Sequence, residues 1–152
     1  MGDRKRLRQL FQAVMLNRVR PINKSLCLQM LCEENYALLV RLIPSFKQNS
    51  SNTCINFEIL DAGPFTYTLA LNNQELGQNT SSPNFKCRVY LDTKSVEVIS
   101  IEGHAKPAGQ RNESPRDTLN KKWTLNYFLE KWLTFQLNMS AAERSEQLAI
   151  NA

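Results

Sequence analysis

Apolar residues recur along this chain in two rhythms, close to every 3.6 residues toward both ends and every second residue through the middle. Between 119 and 137 stand Leu119, Trp123, Leu125, Tyr127, Phe128, Leu129, Trp132, Leu133, Phe135 and Leu137. Within that set Leu125, Phe128, Leu129, Trp132 and Leu133 advance by three, one, three and one, the spacing of one helix face. Both tryptophans lie here. A packed aromatic buries about 150–250 Å², so this stretch predicts a long helix against which the other elements are built. An earlier helix is predicted from Ser25 to Ile43, with Leu28, Leu31, Cys32, Asn35, Leu38, Leu39 and Leu42 in one stripe and Pro44 closing it. Asn35 is the polar member of that stripe and needs a hydrogen bond, to a strand end or loop carbonyl or to a ligand. A third amphipathic segment, residues 4–17, carries Leu7, Leu10, Phe11, Val14 and Met15, and Pro21 ends it. Its arginines sit at the positive end of the helix dipole, so it reads as a docked or frayed terminal helix.

Residues 54–101 switch to period two. Ile55, Phe57 and Ile59 alternate with polar neighbours, Asp61-Ala62-Gly63-Pro64 makes a turn, and Phe65, Tyr67, Leu69 and Leu71 follow. Phe85, Cys87, Val89 and Leu91 form a third strand and Val96, Val98 and Ile101 a fourth, with a change of parity at Val98-Ile99 that predicts a bulge. The fold class is therefore α+β: a four-stranded antiparallel β-meander with N-terminal helices and a long aromatic C-terminal helix packed on one face. Residues 1–20 form a basic arm, 21–139 a single domain, and 140–152 a tail or short helix, for which Ser140-Ala141-Ala142-Glu143 offers capping-box spacing. The long connections 72–84 and 103–117 lie at the same end of such a meander as the approach to its first strand. Structureless loops of about 12–15 residues are commonly functional or disordered, which makes this end the place to look for a site.

Composition narrows the function. The chain of 152 residues is 42% hydrophobic and 22% charged, as a globular domain is. No apolar run approaches the roughly 18–20 residues that span a bilayer, and no secretory signal follows the basic start, so a cytoplasmic setting is expected. Cys27, Cys32, Cys54 and Cys87 then read as reduced thiols, and Cys27-x4-Cys32 with one remote histidine does not match a zinc pattern. With five glycines and no phosphate loop, nucleophile elbow or HExxH, neither a metal nor a cofactor is expected. The net charge of +5 is uneven, because seven basic residues against Asp3 leave +6 on residues 1–24 and −1 on the remainder.

His104, the single histidine, could pair with Glu102 or Asp117 and a thiol such as Cys54, although a lone loop histidine is more often incidental. The polar sheet face carries Asn56, Glu58, Thr66, Thr68, Lys86, Arg88, Tyr90 and Glu97. One aromatic is too few for an RNA-reading sheet, and ion pairs of Arg88 with Glu97 or Glu58 account for the charges. The candidate binding residues are Cys32, Asn35, Arg88, Tyr90 and His104. The leading reading is a non-enzymatic interaction module whose partner is another protein or a second copy of this chain. The alternatives are nucleic-acid association through Arg4, Lys5, Arg6 and Arg8, and an enzyme or small-ligand binder at the loop-bearing end.

Three blocks carry a resemblance: Leu31-Cys32-Glu33-Glu34-Asn35-Tyr36 with Arg41-Leu42-Ile43-Pro44, Arg88-Val89-Tyr90-Leu91-Asp92 with Val96-Glu97-Val98, and Asn126-Tyr127-Phe128-Leu129-Glu130-Lys131-Trp132-Leu133. In order and distance they resemble the YqiB-like family of small bacterial proteins, a domain of unknown function, from about Arg18 to about Met139. The resemblance implies a bacterial, cytoplasmic, single-domain protein and brings no catalytic residues or ligand. Leu91 stands where the family pattern has a histidine, and Asn120-Lys121 where it has an acidic pair.

Overall fold

A computed structural model describes residues 24–46, 55–73, 83–102 and 113–152. In chain order the elements are α1 (Lys24–Leu42), β1 (Ile55–Ala62), β2 (Thr66–Asn73), β3 (Asn84–Tyr90), β4 (Ser95–Glu102) and α2 (Pro115–Ile150). The strands form one antiparallel sheet in the order β1-β2-β3-β4. This is the expected α+β meander with a helix before it and a long helix after it. The amphipathic segment 4–17 lies outside the described residues.

Each element follows from its local sequence. The buried residues of α1 are Leu31, Cys32, Asn35, Leu38, Leu39 and Leu42, the predicted stripe less its first leucine. Pro44 cannot continue the helix, and Ile43 N–H closes it onto the Leu39 carbonyl at 2.7 Å. At the start of α2 Ser114 caps the helix by accepting from Asp117 N–H at 3.2 Å, and Pro115 follows where a missing N–H costs nothing. No proline or glycine interrupts the helix after that, so it runs 36 residues to Ile150. Ser140 therefore starts nothing: the capping-box spacing falls inside a continuous helix. Its last buried residue is Gln136, and every residue from Arg144 onward is exposed.

One sheet face is apolar and carries the core. Phe85 at its centre is fully buried, with its ring centroid 5.1 Å from that of Trp132 and 5.4 Å from that of Phe128. Trp132 is 8% exposed, as a covering residue should be, whereas Phe128 at 40% sits at the rim of the contact and Trp123 is only half-buried. Phe65 also departs from expectation: it lies in the turn before β2 and is 64% exposed. The strands bulge twice. Lys86 faces Ser100 and Cys87 faces Val98, leaving Ile99 as the extra residue that the parity change predicts. Between β1 and β2 the register slips after Ile59, leaving Leu60 unpaired.

The two helices pack on each other and, among the strands, chiefly on β4. A buried amide fixes that placement. Asn126 on α2 accepts from Val98 N–H of β4 through Oδ1 at 2.9 Å and donates through Nδ2 to the Lys122 carbonyl at 2.8 Å. Its own carbonyl accepts from Asn35 Nδ2 of α1 at 3.1 Å. Asn35 thus finds a helix carbonyl, where a strand end or loop was expected. Its Oδ1 stays buried with no hydrogen-bond partner.

The two amides are therefore unequal. Replacing Asn126 by leucine strands a buried backbone donor, and we expect a loss of about 1–3 kcal/mol. Asn35→Leu removes an orphan acceptor and leaves the Asn126 carbonyl its helical bond, so stability should stay within about 1 kcal/mol of the parent. Urea unfolding of both variants checks this; equal destabilisation would contradict it.

Candidate functional site

Two surfaces gather the polar side chains. The first wraps the outer edge of β4. Glu97 points to the polar side of the sheet, and Lys122 reaches it from α2 with Nζ 3.0 Å from Oε1. This replaces the expected Arg88 pair: the register does set Arg88 opposite Glu97, but the carboxylate takes the lysine. The hydrogen bond to Glu97, then its charge, holds the Lys122 ammonium above its ordinary range against the opposition of burial, with smaller contributions from Tyr90 and Cys32. Cys32 on α1 lies within the same field. Burial, then the Glu97 carboxylate and more weakly Glu33, push its thiol up to about 12 against the opposing pull of Lys122. Burial alone raises Cys87, which points from β3 into the core. Neither sulfur is a thiolate at neutral pH, and a neutral thiol is a poor nucleophile.

The second surface is the polar sheet face, opposite the helices. Strand register arranges it in rows. Asn56, Asn72, Asn84 and Glu102 form the row nearest the loops, with Asn84 Nδ2 donating to Glu102 Oε2 at 2.8 Å. Glu58, Ala70, Lys86 and Ser100 come next, then Asp61, Thr68, Arg88 and Glu97, then Thr66, Tyr90 and Ser95. The bulge at Leu60 brings Asp61 into the row of Arg88 and leaves Glu58 in that of Lys86, so Glu58 is not the partner of Arg88. Four carboxylates (Glu58, Asp61, Glu97 and Glu102) face two cations (Lys86 and Arg88). Among the described residues Tyr90 is the single aromatic on this face.

The candidate residues thus divide. Cys32 and Asn35 belong to the helical side at the β4 edge, while Arg88 and Tyr90 stand on the polar face, linked to the first pair through Lys122 and Glu97. His104 and the cations Arg4, Lys5, Arg6 and Arg8 lie outside the described residues, as does Cys54. Asn126, Lys122 and Asp61 are the polar residues that sequence patterning passed over. Asn126 interrupts the apolar face of its helix as Asn35 does, and that signal could have found it. Asp61 read as turn because a one-residue bulge cannot be counted before the partner strand is known.

Residues 38–142 match the model of a family described as "Protein of unknown function (DUF1249)". That span holds the second and third blocks of the resemblance and begins after Leu31–Tyr36. No curated protein and no solved structure matches. Among the described residues no helix is long and apolar enough to cross a membrane.

Two measurements check the electrostatics. On timed iodoacetamide labelling at neutral pH, half-buried Cys27 should react well before Cys32 and Cys87; equal rates at Cys27 and Cys32 would contradict the assignment. Because the Lys122 value is raised on folding, its contribution is fully present below the ordinary lysine value of 10.5 and is lost as pH climbs through the folded value. Lys122→Met should then be less stable than the parent at neutral pH, with the gap closing in strong alkali.

Proposed function

The chain belongs to the family described as Protein of unknown function (DUF1249), and since membership brings no activity with it, we propose from geometry that the protein is a non-enzymatic interaction module presenting its polar sheet face to another protein. The observation that carries this reading is the division of labour across the sheet. Both helices lie on the apolar side, and the other side offers ordered rows of hydrogen-bonding and charged groups. Nucleic acid is a poor occupant of that face, since carboxylates outnumber cations there and aromatic stacking is limited to Tyr90. The raised thiols of Cys32 at the β4 edge and Cys87 in the core likewise argue against either as a covalent nucleophile.

Nucleic-acid association remains a second reading for residues 1–20 alone, favoured by the charge of +6 on residues 1–24. Its signature is affinity that falls steeply with salt and vanishes with that segment. The resemblance to YqiB-like bacterial proteins supports a bacterial cytoplasmic setting for either reading.

A photo-crosslinking residue in place of Ser100 or Thr66, both on the polar face, should give a discrete adduct in cells. Lys86→Glu with Arg88→Glu should abolish it, and the same crosslinker in place of Glu146, in the exposed C-terminal part of α2, should not reproduce it. Adducts independent of position and unmoved by the charge reversals would contradict the proposal.

A further inference from the structure

The sheet has two edges, and they are treated differently. An edge strand turns every second N–H and C=O away from the ladder, an invitation to pairing that proteins ordinarily cover or blunt. At β4 the helices provide cover around Val98, whose N–H is taken by Asn126, and only the bulged Ile99 and the terminal Glu102 of that strand are exposed. Along the second half of β1 the described residues provide no cover of comparable extent: every residue from Glu58 to Ala62 is exposed. Because the helices are drawn toward β4, they also leave the apolar side of β1 incompletely buried. Ile59 is 38% exposed and the bulged Leu60 48%, beside the exposed ring of Phe65 in the adjoining turn.

Charge then selects among occupants. β1 carries Glu58 and Asp61 and no basic residue. Across on β2 they meet Ala70 and Thr68, neither of them a cation. A second copy of β1 is a poor partner, since antiparallel registers near the strand centre bring carboxylate against carboxylate, and like charges directly opposite are destabilising. The complementary occupant is a strand with cations on the side of Glu58 and Asp61 and apolar residues on the side of Ile59.

We infer that β1 is a strand-addition site for an extended segment of a partner protein in which basic and apolar residues alternate, the edge backbone supplying the hydrogen bonds and Glu58 and Asp61 the preference for positive charge. This rests on the interaction reading above only in taking a protein as partner; the edge shares Glu58 and Asp61 with the polar face, but its docking groups are the β1 backbone amides, so the N-methylated peptide and the Lys86→Glu, Arg88→Glu variant distinguish failure of one reading from failure of the other.

The test is an amide NMR titration of the full chain with a short capped peptide of alternating lysine and valine. Three controls accompany it: the same peptide N-methylated at alternate backbone nitrogens, its glutamate–valine counterpart, and the lysine–valine peptide added to the Lys86→Glu, Arg88→Glu variant. Resonances of residues 56–62 should shift saturably and their amides slow in exchange, equally in that variant. The N-methylated peptide should not bind, and the glutamate peptide should bind at least about tenfold more weakly. Glu58→Lys with Asp61→Lys, both at exposed positions, should invert the preference while leaving the melting temperature near that of the parent. Unmoved β1 resonances, equal binding of the N-methylated peptide, or concentration-dependent protection of β1 in free protein would each overturn the inference. Shifts confined to Lys86, Arg88 and Tyr90 would overturn it while favouring the polar face as the docking surface.

Discussion

One hydrogen bond decides how this molecule is put together: the Val98 N–H of an edge strand donates to Asn126, a side chain on the helix that covers it. Burying apolar surface brings helices to a sheet but does not say where along its width they settle, because the hydrophobic effect is non-directional. A buried backbone donor is directional, and leaving it unpaired costs roughly 1–3 kcal/mol. With Oδ1 on β4, Nδ2 on its own helix and its carbonyl held by Asn35, Asn126 locks α1, α2 and β4 into one arrangement. The bulge at Ile99 belongs to the same arrangement, since it breaks the regular ladder beside the donor that the amide accepts from.

From that placement follow the features that bear on function. Helices drawn to β4 seal that edge at Val98, wrap Lys122 around to Glu97, and enclose Cys32 and Cys87 deeply enough that both thiols stay neutral. The same placement keeps the described helices on the apolar side and leaves β1 exposed from Glu58 to Ala62. Along β1 the exposed carboxylates of Glu58 and Asp61, with no basic residue on the strand, set a negative field at that edge.

Much of the fold was legible beforehand, for reasons that can be named. The stripe from Leu31 to Leu42 and the alternation through Phe85, Cys87 and Val89 are local periodicities, and a helix or a half-buried strand must show them. The bulge at Ile99 was readable because it reverses parity inside a single strand. What escaped depends on partners distant in sequence. Asn35 announced a need for a hydrogen bond, but that its partner would be a helix carbonyl 91 residues away is a tertiary fact. The Glu97–Lys122 pair escaped likewise, since cross-strand neighbours can be guessed from a meander whereas a lysine reaching round an edge cannot. The candidate site split between helix side and sheet face because its members had been gathered by residue type, with no knowledge of which side of the sheet each would occupy.

The asymmetry of the two edges is the central claim, and native-state hydrogen exchange resolved at single amides tests it most directly. An edge-strand amide ordinarily exchanges early, so Val98 is the informative position: it should exchange only through global unfolding, together with the amides of β3. The outward-turned amides of β1 between Glu58 and Ala62 should exchange orders of magnitude faster. Val98 exchanging as readily as those β1 amides would mean that the helices do not seal β4, and the account built on that seal would be wrong.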